Sequence, residues 1–138
     1  MASKFKLMID NKEYNVILPS GGVKRSFSIL DGDNSGRVQT GEMIRDIIGT
    51  YYNYKLDIEQ DPNYPTDYDS LYEIVSAPQD FHVIIVPYGQ DLYQFDAYVT
   101  DGEDSLMLID SKGLNYWNGL SLNFVAMKPK RVPAKKEG

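Results

Sequence analysis

Period-two alternation of apolar and polar residues runs through this chain and commits most of it to β-strands. Tyr52, Tyr54, Leu56 and Ile58 alternate with Asn53, Lys55 and Asp57. Tyr93, Phe95, Ala97 and Val99 alternate with Leu92, Gln94, Asp96 and Tyr98, and Leu120, Leu122, Phe124 and Ala126 share one face of a run over 120–127. HVIIV at 82–86 is apolar throughout, as expected of an inner strand. Residues 4–17 predict a hairpin, with Phe5, Leu7 and Ile9 on one face, Tyr14 and Val16 opposing them, and Asp10-Asn11-Lys12 as the turn. Pro19-Ser20-Gly21-Gly22 is a loop.

Two segments fit both periods. Val23, Arg25, Phe27 and Ile29 share one strand face, while Val23, Phe27 and Leu30 fall at helical spacing. In residues 43–48 and just beyond, Ile44, Ile47, Ile48 and Tyr51 have helical spacing that Gly49 interrupts. One helix is clear, DYDSLYEIVSA at 67–77. Thr66 or Asp67 is expected to cap it. Leu71, Ile74 and Val75 would form its buried stripe, with Tyr68 or Tyr72 at an edge, and Pro78 would end it. Pro87-Tyr88-Gly89, DGEDS at 101–105 and SKGLNYWNG at 111–119 read as turns and loops. The layout predicts a mainly β fold, a β-sandwich or barrel-like sheet pair of about seven strands, with one α-helix near residues 67–77 packed against it.

A length of 138 residues suits one domain with a real hydrophobic core. We place that domain at 1–127 and read 128–138 as a basic, flexible C-terminal tail. Charge marks the same boundary. The tail holds five basic residues, Lys128, Lys130, Arg131, Lys135 and Lys136, and one acid; the body holds the other nine of 14 basic residues and 19 of 20 acids, a balance of +4 against −10. An acidic body argues against binding nucleic acid by phosphate neutralisation. No apolar run approaches the roughly 20 residues of a membrane helix. The apolar patch in MASKFKLMID is too short for a signal peptide. Without cysteine there is no disulfide, thiolate metal site or cysteine nucleophile.

Catalytic signatures are missing from the sequence. The single histidine, His82, opens an apolar strand and reads as a strand-end residue. No phosphate loop follows a strand and no nucleophile elbow occurs. The expectation is a non-enzymatic protein. Eleven tyrosines could line a carbohydrate- or peptide-binding face, but they equally suit half-buried strands and protein interfaces.

DGDNSGRVQTGE at 31–42 has the spacing of a calcium loop. Asp31, Asp33 and Ser35 would supply side-chain oxygens, Arg37 its carbonyl and Glu42 a bidentate carboxylate, with Gly36 at the sharp turn. Such loops need a helix on each side and usually a paired second loop. The upstream segment is short, the downstream one meets Gly49, and no second loop occurs. The alternative is a polar excursion between two strands, an assembly loop presenting Asp31, Asp33, Asn34, Arg37, Gln39 and Glu42. Calcium is therefore a possible ligand of this loop, and no other cofactor is expected.

The order of signals over residues 5–132 resembles small structural proteins of the tail-gene clusters of long-tailed phages and prophages of Gram-positive bacteria. The resemblance lies in IDNKEYNVILP, SGR followed by GEMIRDIIG, KLDI, YDSLYEIVSAP, VPYG, QFDAYVT and YWNGLSLNFVAMKP. It implies a β-sandwich with a flanking helix that acts by assembling into homo-oligomeric rings or by bridging to other tail proteins. It further implies location in the virion tail after synthesis in the bacterial host cytoplasm, and no active site. In that setting the 31–42 excursion becomes an inter-subunit arm, and the basic tail docks on the acidic body of a neighbour. Two other functions stay open on the residues alone: a calcium-binding module built on the 31–42 loop, and a tyrosine-rich carbohydrate-binding β-sandwich.

Overall fold

The computed structural model describes residues 7–32, 36–37 and 39–133. The fold is mainly β, as expected, and its strands close almost completely into a barrel-like sheet. In chain order the elements are β1 (Leu7–Ile9), β2 (Lys12–Tyr14), β3 (Val16–Ile17), β4 (Val23–Asp31), β5 (Gly36–Arg37), β6 (Met43–Ile44), β7 (Ile47–Gln60), α1 (Pro65–Val75), β8 (His82–Tyr88), β9 (Asp91–Tyr98), β10 (Gly102–Ile109) and β11 (Asn115–Ala126). The main sheet has nine strands in the order β2-β1-β8-β9-β11-β7-β3, with β10 added to β11 and β4 added to β7. All its pairings are antiparallel. A separate two-stranded sheet joins β5 to β6.

Alternation dictates the core. Tyr54, Leu56 and Ile58 of β7 face inward beside Leu120, Leu122, Phe124 and Ala126 of β11, Ile84 and Val86 of β8, and Phe95 and Ala97 of β9. Leu7 and Ile9 of β1 complete the wall. The β1–β2 hairpin turns through Asp10 and Asn11, both with positive φ, 52° and 67°. Positive φ at both positions is the two-residue type I′ hairpin turn, and Asp and Asn tolerate it better than most residues. Asp10 also ties β1 to β8: its carboxylate accepts from the Val83 amide at 2.9 Å and meets His82 Nδ1 at 2.8 Å. His82 is thus a buried strand-end residue held by a structural carboxylate.

The helix lies where expected, two residues earlier at each end. Neither Thr66 nor Asp67 caps it. Pro65 takes the first helical position after Tyr64, and no side chain makes a cap hydrogen bond. Proline has no N–H to satisfy there and its φ suits the first turn. The Asp67 carboxylate instead accepts from both the backbone N and the Nδ2 of Asn15, each at 2.9 Å, which fastens α1 to the junction of β2 and β3. Tyr68, Leu71 and Val75 are the buried stripe; Ile74 is half-buried and Tyr72 exposed.

Two segments that fitted both periods are settled here, and three others depart from the sequence reading. Residues 23–30 are strand, as part of β4, and 43–48 contribute to β6 and β7. DGEDS is no turn, since Gly102 begins β10. Asn115 to Gly119 belong to β11 rather than a loop. That extension pairs with β10, from Ser105 opposite Asn118 to Ile109 opposite Asn115, and Gln60 braces its other edge: its Nε2 donates to the Asn115 carbonyl at 3.1 Å and its Oε1 accepts from the Trp117 amide at 3.2 Å. A side chain takes over where the ladder between β7 and β11 ends. Finally, β8 runs through Pro87 and Tyr88, so the turn begins only at Gly89. No helix among the described residues is long and apolar enough to cross a membrane.

Candidate assembly interface

The pairing of β7 sets up the surface of interest. This strand has 14 residues, but β11 covers it only over 54–58. β4 follows it much further, from Val23 opposite Leu56 to Leu30 opposite Gly49, with a bulge before Asp31 meets Ile47. β4 and the first half of β7 therefore form a ribbon that runs beyond the barrel wall.

Directly opposed residues in an antiparallel pair point to the same face. Val23, Arg25, Phe27 and Ile29 thus share the face of Leu56, Tyr54, Tyr52 and Thr50, which is the core face of the barrel. Outward of Arg25 this face is apolar except for Thr50 and is open to solvent. Phe27 is 66% exposed, and Ile29 and Ile48 are exposed too. Leu30 and Ile47 add exposed apolar surface. Edge strands on lone proteins are usually blunted by charge, proline or brevity. β4 carries Lys24 and Arg25 near its start, but over Phe27, Ile29 and Leu30 it exposes apolar side chains on both faces.

Another open edge is β10. Leu106, Met107, Leu108 and Ile109 are consecutive and all exposed, in a strand whose ladder to β11 is broken by two register shifts. Its turn is rigid. The Asp110 carboxylate accepts from the amides of Lys112 and Leu114 at 2.9 Å each, and Tyr116 donates its hydroxyl at 3.3 Å. Those bonds, led by the Leu114 amide, hold the Asp110 carboxyl below its ordinary range.

An aromatic and cationic cluster marks the base of the ribbon. Tyr52, Tyr88 and Tyr93 meet edge to face at centroid distances of 5.3 to 6.3 Å, and Tyr93 stacks on Phe95 at 4.8 Å. Arg25 sits over Tyr88 and Lys130 over Tyr93. The Tyr88 hydroxyl, then Arg131, lower the Tyr52 phenol, whereas its bond to Tyr52 raises Tyr88. Cations thus cover one face of two of these three rings. Tyr14, Tyr54 and Tyr68 are buried in the core.

The C-terminal segment is tied to this base. Thr50 donates its amide to the Arg131 carbonyl at 2.8 Å, and its own carbonyl accepts from the Lys130 amide at 2.9 Å. Lys128 is exposed beside it. The tail is therefore anchored through Arg131; Lys135 and Lys136 lie outside the described residues.

The 31–42 stretch is entered from a strand and left through strands, with β4 before it and β6 and β7 after it. Asp31 ends β4, and its carboxylate accepts two bonds from Arg45, at 3.1 and 3.2 Å. Gln39 and Glu42 are exposed. Arg37 is in β5, and Asp33, Asn34 and Ser35 lie outside the described residues. Among the described residues no group of three or more acidic, histidine or cysteine side chains is placed to hold a metal ion. Of the residues proposed as metal ligands, the structure ties Asp31 to Arg45.

Sequence reasoning missed Phe27, Ile29, Leu30, Ile47 and Ile48 as surface residues. Their signal was present, since Phe27 and Ile29 extend the core face, but apolar strand residues are by default assigned to the interior. No family model matches the chain, and no curated protein matches it.

Proposed function

We propose that this chain is a non-enzymatic structural protein of a phage or prophage tail, acting by self-association into a ring or by bridging to another tail protein. One observation carries the reading: the core face of the sheet continues along the β4–β7 ribbon, apolar and uncovered, on a nine-residue edge strand. Such a surface is suited to a partner that covers it. The β10 edge offers a second contact of the same kind, as a ring or stack requires of each subunit. The resemblance to tail-cluster proteins suggests the assembly concerned. In this reading the chain is made in the host cytoplasm and ends in the virion tail, and its acidic body contacts neither nucleic acid nor membrane.

The test is composition. Tails purified from an induced host are separated and their proteins identified by mass spectrometry. Stoichiometric presence of this chain in intact tails supports the reading. Its absence from intact tails overturns it.

A further inference from the structure

A groove lies on the opposite end of the molecule from the ribbon. Tyr68, Tyr72 and Trp117 wall it, Asp69, Glu73 and Asp104 rim it, and its volume is about 460 Å³. Tyr68 is buried and donates its hydroxyl to Asp104 at 2.7 Å, which fixes that carboxylate at the mouth. Asp69 and Glu73 are exposed and sit one turn apart on α1. The helix has no basic residue, and among the described residues no cation pairs with any of the three carboxylates. Glu73 stands in the last turn, where the helix dipole disfavours an anion and favours a cation. Aromatic walls with a carboxylate rim suit the stem and ammonium group of lysine.

We propose that this groove receives the lysine-bearing C-terminal end of another copy of the chain, with Lys135 and Lys136 set against Asp69, Glu73 and Asp104. Charge selects the occupant, because residues 128–138 carry five basic side chains and one acid. Length selects the copy. The tail leaves the body at Arg131, bonded to Thr50 of β7. The groove lies at the other end of that strand, where Trp117 donates its amide to Gln60. Ten residues of strand separate Thr50 from Gln60, about 33 Å at the usual rise. Five residues separate Arg131 from Lys136, about 17 Å fully extended. A lysine side chain does not close that gap, so the tail reaches a groove only on a neighbour. The proposal rests on the self-association reading for its second copy, but its test does not.

Trp117 is the only tryptophan and it lines the groove, so its emission reports occupancy. The full chain, kept dilute, is titrated with the peptide RVPAKKEG. The expected result is a saturable change in Trp117 emission that weakens with added salt. It is absent for the same peptide with both lysines replaced by alanine. Binding to the Asp69→Asn, Glu73→Gln variant is about tenfold weaker. Both positions are exposed, so that variant keeps its fold. No saturable change, or an equal response to the alanine peptide, overturns the proposal. Tails that contain the chain while the peptide fails would overturn the docking and leave the tail reading standing. A peptide response with the chain absent from tails would do the reverse.

Discussion

Phe27 stands directly opposite Tyr52 in the β4–β7 ladder, yet Tyr52 is half-buried in an aromatic cluster while Phe27 is two-thirds exposed. The two rings mark the step at which the core face leaves the barrel. Inward of them the face is covered by Tyr54, Leu56 and their neighbours; outward it is an open apolar ribbon. A change at Phe27 therefore alters an exposed surface outside the monomer core, which lets the proposed assembly be tested apart from folding.

Gly49 governs how the C-terminal segment sits. A Cβ there would lie 2.6 Å from the Arg131 carbonyl oxygen and 2.7 Å from Pro129 Cβ. Gly49→Ala should displace residues 129–131 and cost roughly 1–3 kcal/mol if the overlap is relieved by strain. Hydrogen exchange is the measurement: the Thr50 amide, which donates to Arg131, should lose protection while the Leu56 amide keeps it.

Tyr68 should make the fold sensitive to alkali. Burial, then the hydrogen bond and charge of Asp104, push its phenol far above the ordinary tyrosine range. Burial raises Tyr14, Tyr54 and Tyr93 as well. A raised folded-state value means that the native chain holds these protons after the unfolded chain has lost them. Stability is then complete below the free tyrosine value of about 10 and falls as pH rises beyond it. Urea midpoints measured across this range should drop. Tyr68→Phe should be less stable at neutral pH by about 1–2 kcal/mol, having left Asp104 without its donor, and should show a shallower alkaline loss.

Asp10 should be the costliest polar position in the β1–β2 hairpin. Its carboxylate serves His82 and the Val83 amide, and its backbone is left-handed. Asp10→Ala should lose roughly 2–4 kcal/mol in chemical unfolding, and Asp10→Asn clearly less, since asparagine keeps an acceptor and tolerates that backbone.

Calcium addresses the loop at the ribbon tip. Strands flank it and Arg45 holds Asp31, so calorimetric titration of the full chain should show no saturable heat at millimolar calcium. Saturable heat that disappears in an Asp31→Ala, Glu42→Ala variant would restore the calcium-module reading.

The fold was legible wherever one face of a strand is buried. Leu120, Leu122, Phe124 and Ala126 were readable because the interior of the barrel imposes period two on them. The start of β10 was not, because Gly102, Glu103, Asp104 and Ser105 are turn formers in isolation; they become strand only by pairing with β11. Likewise nothing local foretells that residues 115–118 pair with β10 while the Gln60 side chain braces their other edge. The exposed apolar ribbon was half legible. Phe27 and Ile29 were placed on the correct shared face, but exposure depends on where β11 stops covering β7, a fact of register between segments some 60 residues apart. The groove was illegible for the same reason, since α1 and Trp117 meet only in the closed sheet.

The most direct test of the assembly account is sedimentation of tail particles from hosts that produce either the native chain or Phe27→Asp. The account predicts that the native chain travels with the tails and the variant stays in the slow fraction. The purified variant should also unfold within about 0.5 kcal/mol of the native chain, as a surface change does. Phe27→Asp travelling with tails as the native chain does would contradict the claim that the β4–β7 ribbon is the assembly surface.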